Sequence, residues 1–259
     1  MIKIITGYSN PGGSTVALKN LCKEFNNRNI ECHMYGPHDW HLQFGKEFKP
    51  LNQLSLLNED RIICHFLDLG VPVKNCIFSC HEMWWFDFKS TSKFYDKVQF
   101  LTQKQADYHN TVKDYILIPN VKEKIIINRD DSILNVAGVI GAVEKRKNTS
   151  ESIKRAIQDG CDKVLLFGPI LDQSYFQRTV LPLLSDKVIH MGYEKNKEMI
   201  YSKIDRVYHM SNGEVASLVK DECYTTGTLF FGNENTDNEV SPLTNDEIIN
   251  LWKKELNVN

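Results

Sequence analysis

Two glutamates, Glu214 and Glu222, stand eight residues apart, after the apolar run Val207–His209 and the turn Ser211-Asn212-Gly213. Carboxylates accept paired hydrogen bonds from vicinal hydroxyls, so this pair suits recognition of a sugar or a ribose. The pattern predicts a helix over residues 213–226, with Glu214 at its mouth and Glu222 about two turns in. A second candidate is the charged cluster Glu144-Lys145-Arg146-Lys147, which follows the apolar run Val136–Ile140. Lysine offers a mobile point charge with three donors, which suits a phosphate, although the same cluster also reads as a solvated turn. A third is Gly12-Gly13-Ser14-Thr15, between an apolar run and a helical pattern. Glycine lets backbone amides approach a ligand closely, and a helix N-terminus favours an anion. This turn is neither a dinucleotide fingerprint nor a phosphate loop, and it reads equally as a plain tight turn. His81 follows the apolar run Cys76–Cys80 and precedes Met83-Trp84-Trp85-Phe86, which reads as core packing or as an aromatic platform for an acceptor.

The elements that must position these residues are legible in the apolar periodicity. A strand at Ile2–Thr6 leads through the Gly-rich turn into a helix carrying Val16, Leu18, Leu21, Cys22 and Phe25. A second strand follows at Ile30–Tyr35. Strand, helix, strand is a βαβ unit and implies a parallel sheet. Further strands are predicted at Arg61–Phe66, Cys76–Cys80, Val98–Leu101 and Tyr115–Ile118. The charged stretch Lys122–Ser132 interrupts the pattern, which restarts at Val136. Strands at Val136–Ile140, Lys163–Phe167, Val188–Met191, Arg206–His209 and Leu229–Phe231 then alternate with helices at Thr149–Ile157, Tyr175–Leu184 and Lys197–Ser202. Thr244-Asn245-Asp246-Glu247 caps a last amphipathic helix carrying Ile248, Ile249, Leu251, Trp252 and Leu256. The expected architecture is α/β, with two Rossmann-like domains of mostly parallel sheet facing across a cleft. Residues 1–130 form the first domain, 131–240 the second and 241–259 a C-terminal helix.

Composition sets the outer bounds. Among 259 residues, 31 Lys+Arg face 33 Asp+Glu, a net charge of −2, with 42% hydrophobic and 25% charged residues. That balance excludes wholesale disorder and disfavours a strongly basic nucleic-acid binder. No run approaches the ~20 apolar residues of a membrane span. The N-terminal run is too short for a signal-peptide core, so a cytoplasmic location is expected. The cysteines, seven in all, are scattered. Cys76-x-x-x-Cys80-His81 lacks two further ligands at zinc spacing, so reduced cysteines serving as small core residues are expected. His33, His38, His41, His65, His109, His190 and His209 lack ligand spacing and are assigned ordinary structural roles. No D-x-D motif stands where a metal–diphosphate site would need one, Asp130-Asp131 being the nearest imitation, and no metal site is expected.

Taken in order, several of these segments resemble the GT-B retaining glycosyltransferases of the large family 4 type. Glu214-x7-Glu222 followed by Cys223-Tyr224-Thr225-Thr226-Gly227-Thr228 resembles the family's E-x7-E signature and its continuation. Gly12-Gly13 resembles the early Gly-rich turn, and Ile77–His81 the strand ending in a histidine near the sugar. Phe100-Leu101-Thr102 with Ala106-Asp107, Ile118-Pro119-Asn120, Gly141 to Lys147-Asn148 and Lys187–Gly192 resemble four further family stretches. The chain departs from the pattern at Ala142, where the family has an arginine, and at Val121, Val215 and Ser217, where it has glycines. Lys145 and Arg146 are the cations nearest the missing arginine.

The resemblance implies glycosyl transfer from a nucleotide-diphosphate sugar, a UDP- or GDP-sugar, with retention and without an obligatory metal. It implies that Glu214 binds donor-sugar hydroxyls, Glu222 the ribose, and Lys147 with Arg146 the diphosphate. His81 then lies by the sugar or acceptor, Gly12 and Gly13 lie near the diphosphate, and the last helix returns to the first domain. The acceptor stays open among a glycan, a lipid-linked sugar, a protein and a modified nucleic acid base. Two alternatives also stay open: a nucleotide-sugar-binding protein without turnover, and a Rossmann-type enzyme using another phosphate-containing cofactor.

Overall fold

The computed structural model describes the chain except for residues 9–11, 38–44, 68–71, 84–92, 111–113, 131, 237–238 and 259. Trp84-Trp85-Phe86, Asp131, His38, His41 and the start of the Gly-rich turn (Ser9, Asn10 and Pro11) lie outside the described residues. The chain divides into two compact units, one of Met1–Lys122 with Ser241–Asn259 and one of Glu123–Val240.

The first unit is built on a parallel sheet whose strands run β1 (Ile2–Thr6), β2 (Cys32–Gly36), β3 (Phe48–Pro50), β4 (Arg61–His65), β5 (Cys76–Cys80), β6 (Lys97–Phe100) and β7 (Tyr115–Leu117). Their spatial order is β3-β2-β1-β4-β5-β6-β7. Every residue of β1 and β5 is buried, as expected of interior strands in a parallel sheet covered on both faces. The short edge strand β3 was not predicted; three residues carry too little periodicity to read. Helix α1 (Gly13–Asn27) packs Leu18, Leu21, Cys22 and Phe25 onto one face. Helix α2 (Gln103–Tyr108) is capped by Thr102, whose hydroxyl accepts the Gln105 N–H.

The second unit repeats the plan with β8 (Val136–Ile140), β9 (Lys163–Phe167), β10 (Val188–Gly192), β11 (Arg206–His209) and β12 (Leu229–Gly232), in the order β10-β9-β8-β11-β12, all parallel. Its helices are α3 (Thr149–Gln158), α4 (Lys197–Tyr201) and α5 (Leu218–Thr226). The helix expected over Tyr175–Leu184 is instead an irregular segment: an α-turn at Gln173–Tyr175, a π-turn at Phe176–Val180 and a 3-10 turn at Leu181–Leu183. Pro182 lacks the amide hydrogen a regular helix needs there.

The boundary between the units falls at Lys122/Glu123, eight residues before the 130/131 division expected. Ile125 and Ile127 already belong to the second unit's core, and Arg129 donates to the carbonyl of Tyr201 and the hydroxyl of Thr228. Charge along Lys122–Ser132 therefore marks a segment pinned at intervals, not a free linker. The last helix, α6 (Asn245–Leu256), belongs to the first unit, where Ile248, Ile249, Trp252 and Leu256 join the α1 core. Thr244 and Glu247 form a capping box at its start. Asn245 exchanges two 2.8 Å hydrogen bonds with the backbone of Lys122, tying together the points where the chain leaves and re-enters this unit.

Six of the seven cysteines are buried and all are free; Cys76 and Cys80 both lie within β5. Among the described residues, no helix is long and apolar enough to cross a membrane.

Candidate functional site

In the second unit β8 and β11 are hydrogen-bonded neighbours, so the loops leaving their carboxyl ends lie side by side. That edge is where open parallel sheets place ligands. The loop after β8 carries Glu144 to Lys147 and turns into α3 through Asn148. This residue sits at φ +50°, a conformation asparagine tolerates better than most residues. The loop after β11 carries Glu214. Two hydrogen bonds to one backbone oxygen lock the loops together: the Asn212 N–H donates to the Arg146 carbonyl at 2.9 Å, and the Ser211 hydroxyl donates to the same oxygen at 3.4 Å.

This scaffold brings Lys147 and Glu214 together. The Lys147 ammonium lies 2.5 Å from Glu214 Oε1, and His209 Nε2 lies 3.0 Å from the same oxygen. The Glu214 side chain is 13% exposed. Burial alone would raise its pKa, but the His209 hydrogen bond and the charge of Lys147 outweigh that and hold the carboxyl at about 2. Glu214 is therefore a fixed anion at neutral pH. His209, given an ordinary structural role from sequence, is the last residue of β11 and points its ring at Glu214; its position at a strand's carboxyl end was the available signal.

The helix expected from Gly213 begins instead at Leu218. The Ser217 hydroxyl accepts the Lys220 N–H and caps the first turn, leaving residues 213–217 as loop. Glu214 thus precedes the helix, and Glu222 lies just past its first turn. The two glutamates occupy separate networks. Glu222 Oε1 takes the Lys197 ammonium at 2.6 Å and Oε2 the Tyr201 hydroxyl at 2.8 Å, while Lys197 also reaches Glu123 at 2.5 Å. Burial opposes the charge on Lys197, but Glu222 and Glu123 overcome it and raise its pKa. Neither Lys197 nor Tyr201 was singled out from sequence, because both belong to α4, more than 20 residues before Glu222. Arg146 is half exposed and pairs with Glu144 at 2.9 Å, leaving its side chain on a different partner from Lys147.

The carboxyl ends of β8, β9 and β10 meet through glycines. Gly141 donates to the Phe167 carbonyl and Gly168 to the Gly192 carbonyl, each at 2.9 Å. A Cβ on Gly168 would lie 1.9 Å from the Gly141 oxygen. The close approach requires glycine and sets where the Lys147 loop begins.

The first unit holds the remaining candidates. Gly12 precedes α1, and the hydroxyl of buried Thr15 both accepts the Gly12 N–H and donates to its carbonyl, at 2.8 Å each. His81 follows β5. Its Nε2 is 3.0 Å from Ser79 Oγ, and its ring meets that of His65 edge-on at a centroid distance of 5.3 Å. Burial, reinforced by His65, pushes the His81 pKa down to about 3, so this imidazole is neutral at pH 7. His65, also read as structural, is fully buried between Thr6 (2.9 Å) and Glu82 (3.2 Å). Among the described residues no group of three or more His, Cys, Asp or Glu side chains is placed to hold a metal ion.

No family model matches the chain, and no curated protein matches it. Solved structures do. HepE of Anabaena, in complex with UDP and glucose, superposes with a TM-score of 0.71 at 14% identity, covering 98% of this chain and 89% of that one. WaaG, a glycosyltransferase involved in lipopolysaccharide biosynthesis, gives 0.64 at 13% identity over 99% and 90%. The pneumococcal O-GlcNAc transferase GtfA, in complex with UDP and GlcNAc, gives 0.64 at 8% identity over 99% and 91%. The chain has the GT-B fold of these glycosyltransferases.

Proposed function

We propose that the protein is a glycosyltransferase that moves a sugar, with retention, from a nucleotide-diphosphate donor to an acceptor hydroxyl, without an obligatory metal. The observation that carries this reading is the Glu214 carboxylate, held ionised by His209 and Lys147 at the carboxyl edge of a parallel sheet. A fixed anion there accepts hydrogen bonds from donor-sugar hydroxyls. Lys147 has three donors, so it can keep Glu214 and still contact the diphosphate, drawing off charge as the glycosidic bond breaks. Arg146 stands one residue away as a second cation for the same group. Glu222, oriented by Lys197 and Tyr201, takes the ribose hydroxyls. In the first unit, the Gly13 amide at the N-terminus of α1 is offered to an anionic group of a substrate and His81 to a sugar hydroxyl, the Gly12 N–H being taken by Thr15. UDP and UDP-glucose in HepE support a uridine nucleotide as the first donor to try. The acceptor class is a glycan, a lipid-linked sugar, a protein or a modified base.

A thermal-shift screen of UDP- and GDP-sugars tests the proposal. A donor at 100-fold over its Kd stabilises the native state by about 2.7 kcal/mol, a rise in Tm of roughly 5–10 °C for a chain of this size. The rise should persist in EDTA. A flat response to every nucleotide sugar at millimolar concentration would remove the donor site.

A further inference from the structure

A buried chain of hydrogen bonds runs along the first unit's sheet from Ile118 to His81, and each link has a forced direction. The carbonyl of Ile118 can only accept, so the Gln99 atom bonded to it is the amide nitrogen. That turns Gln99 Oε1 toward Ser79, where it can only accept, and the Ser79 hydroxyl donates to it at 2.6 Å. A hydroxyl has one hydrogen. Ser79 Oγ must therefore accept from His81 Nε2, 3.0 Å away, and His81 carries its hydrogen on Nε2. Ser79 and Gln99 are each 1% exposed, which leaves solvent no access to reverse a link. A doubly protonated ring would satisfy the same bond, but burial beside His65 opposes it.

A second pair holds the backbone at the same place. Glu82 Oε1 accepts from His65 Nε2 at 3.2 Å, and Oε2 accepts the His81 backbone N–H at 3.2 Å. Thr6 Oγ1, which receives the Tyr8 N–H at 3.2 Å, lies 2.9 Å from His65 Nδ1 and holds that ring against Glu82. Ring and main chain of His81 are thus fixed from two sides.

We propose that Gln99 and Ser79 are positioning residues that lock His81 as its Nε2–H tautomer, so that Nδ1 presents a lone pair to a hydroxyl hydrogen of the substrate sugar. The opposite tautomer would present an N–H there and reverse the sense of that hydrogen bond. The inference rests on the glycosyl-transfer reading for its substrate, but the lock itself is a property of the free protein.

The test is nitrogen-15 NMR of the full chain with labelled histidine, without substrate, joined to kinetics. Wild type should show His81 with a protonated Nε2 and a bare Nδ1. Ser79→Ala removes the acceptor and should average the two tautomers, lowering kcat/KM about 10-fold, the worth of one hydrogen bond. Ser79→Thr keeps the hydroxyl and should restore both the spectrum and kcat/KM to within about twofold, since the bond itself is retained. If Ser79→Ala does not fold, near-isosteric Ser79→Cys, whose thiol is a weak acceptor, should unlock the tautomer in its place. A wild-type ring protonated on Nδ1, a Ser79→Ala or Ser79→Cys variant that keeps the Nε2–H form, or an unlocked variant with undiminished kcat/KM overturns the proposal. Absence of any stabilisation by nucleotide sugars would instead remove the substrate, and with it the role assigned to the lone pair.

Discussion

Glu214→Gln should lower kcat/KM for glycosyl transfer roughly 10³-fold, the scale of losing a preorganised electrostatic contact in an active site, while the protein stays folded. The amide keeps the shape of the carboxylate but not the charge. Lys147 and His209 then lose the charge of their shared partner, and under the proposed function the donor-sugar hydroxyls lose a strong acceptor. The same variant carries a pH signature independent of any substrate. Glu214 titrates at about 2 in the folded state, against 4.5 for an unperturbed glutamate. A depressed folded-state pKa contributes stability that is fully present above pH 4.5 and is lost as pH falls toward 2. Wild type should therefore exceed Glu214→Gln by a margin that shrinks by roughly 3 kcal/mol between pH 5 and pH 2. Urea titrations of both proteins at several pH values read this directly. Unchanged turnover in Glu214→Gln would sink the site assignment, and a margin flat with pH would sink the ionised Glu214–Lys147–His209 cluster.

Gly168→Ala should be the most damaging single methyl in the second unit. Its Cβ would stand 1.9 Å from the Gly141 oxygen and 2.6 Å from the Gly141 carbonyl carbon, backbone atoms that cannot rotate aside. Relief requires moving β9 or the start of the loop that carries Lys147, at about 3 kcal/mol. Gly160→Ala is the control. Gly160 sits at φ +78° with nothing within 4 Å of its added Cβ, so it carries conformational strain without a clash, about 1 kcal/mol. Thermal melts should rank Gly168→Ala well below Gly160→Ala. Gly168→Ala should also lose the stabilisation by nucleotide sugar. Equal melting temperatures would mean that the close approach of β8 and β9 is not required.

Several parts of the fold were legible because their causes are local. The strands at Ile2–Thr6, Cys76–Cys80, Val136–Ile140 and Arg206–His209 have the bounds the apolar runs indicated. Each is a short run built around apolar residues between polar turns, which is the local signature of a buried parallel strand. The cap at Thr244 is equally local, set by a side chain and an amide three residues apart. Where local signals competed, the reading failed. Gly213 looked like the start of a helix, but the Ser217 hydroxyl holds the cap position, and the helix obeys the nearer hydrogen bond.

The sequence by itself determined that this is a doubled α/β chain, with a cationic turn after Val136–Ile140 and two glutamates after Arg206–His209. Only the tertiary structure decided which of these residues meet. Lys147 and Glu214 are 67 positions apart and touch because β8 lies beside β11. Lys197 and Tyr201 hold Glu222 because α4 and α5 share one hydrophobic core, and Gln99 holds Ser79 because β6 lies beside β5. Strand periodicity depends on near neighbours along the chain, whereas the order of strands in a sheet is set by long-range packing. The identity of each residue was therefore readable in one dimension, and its partner only in three.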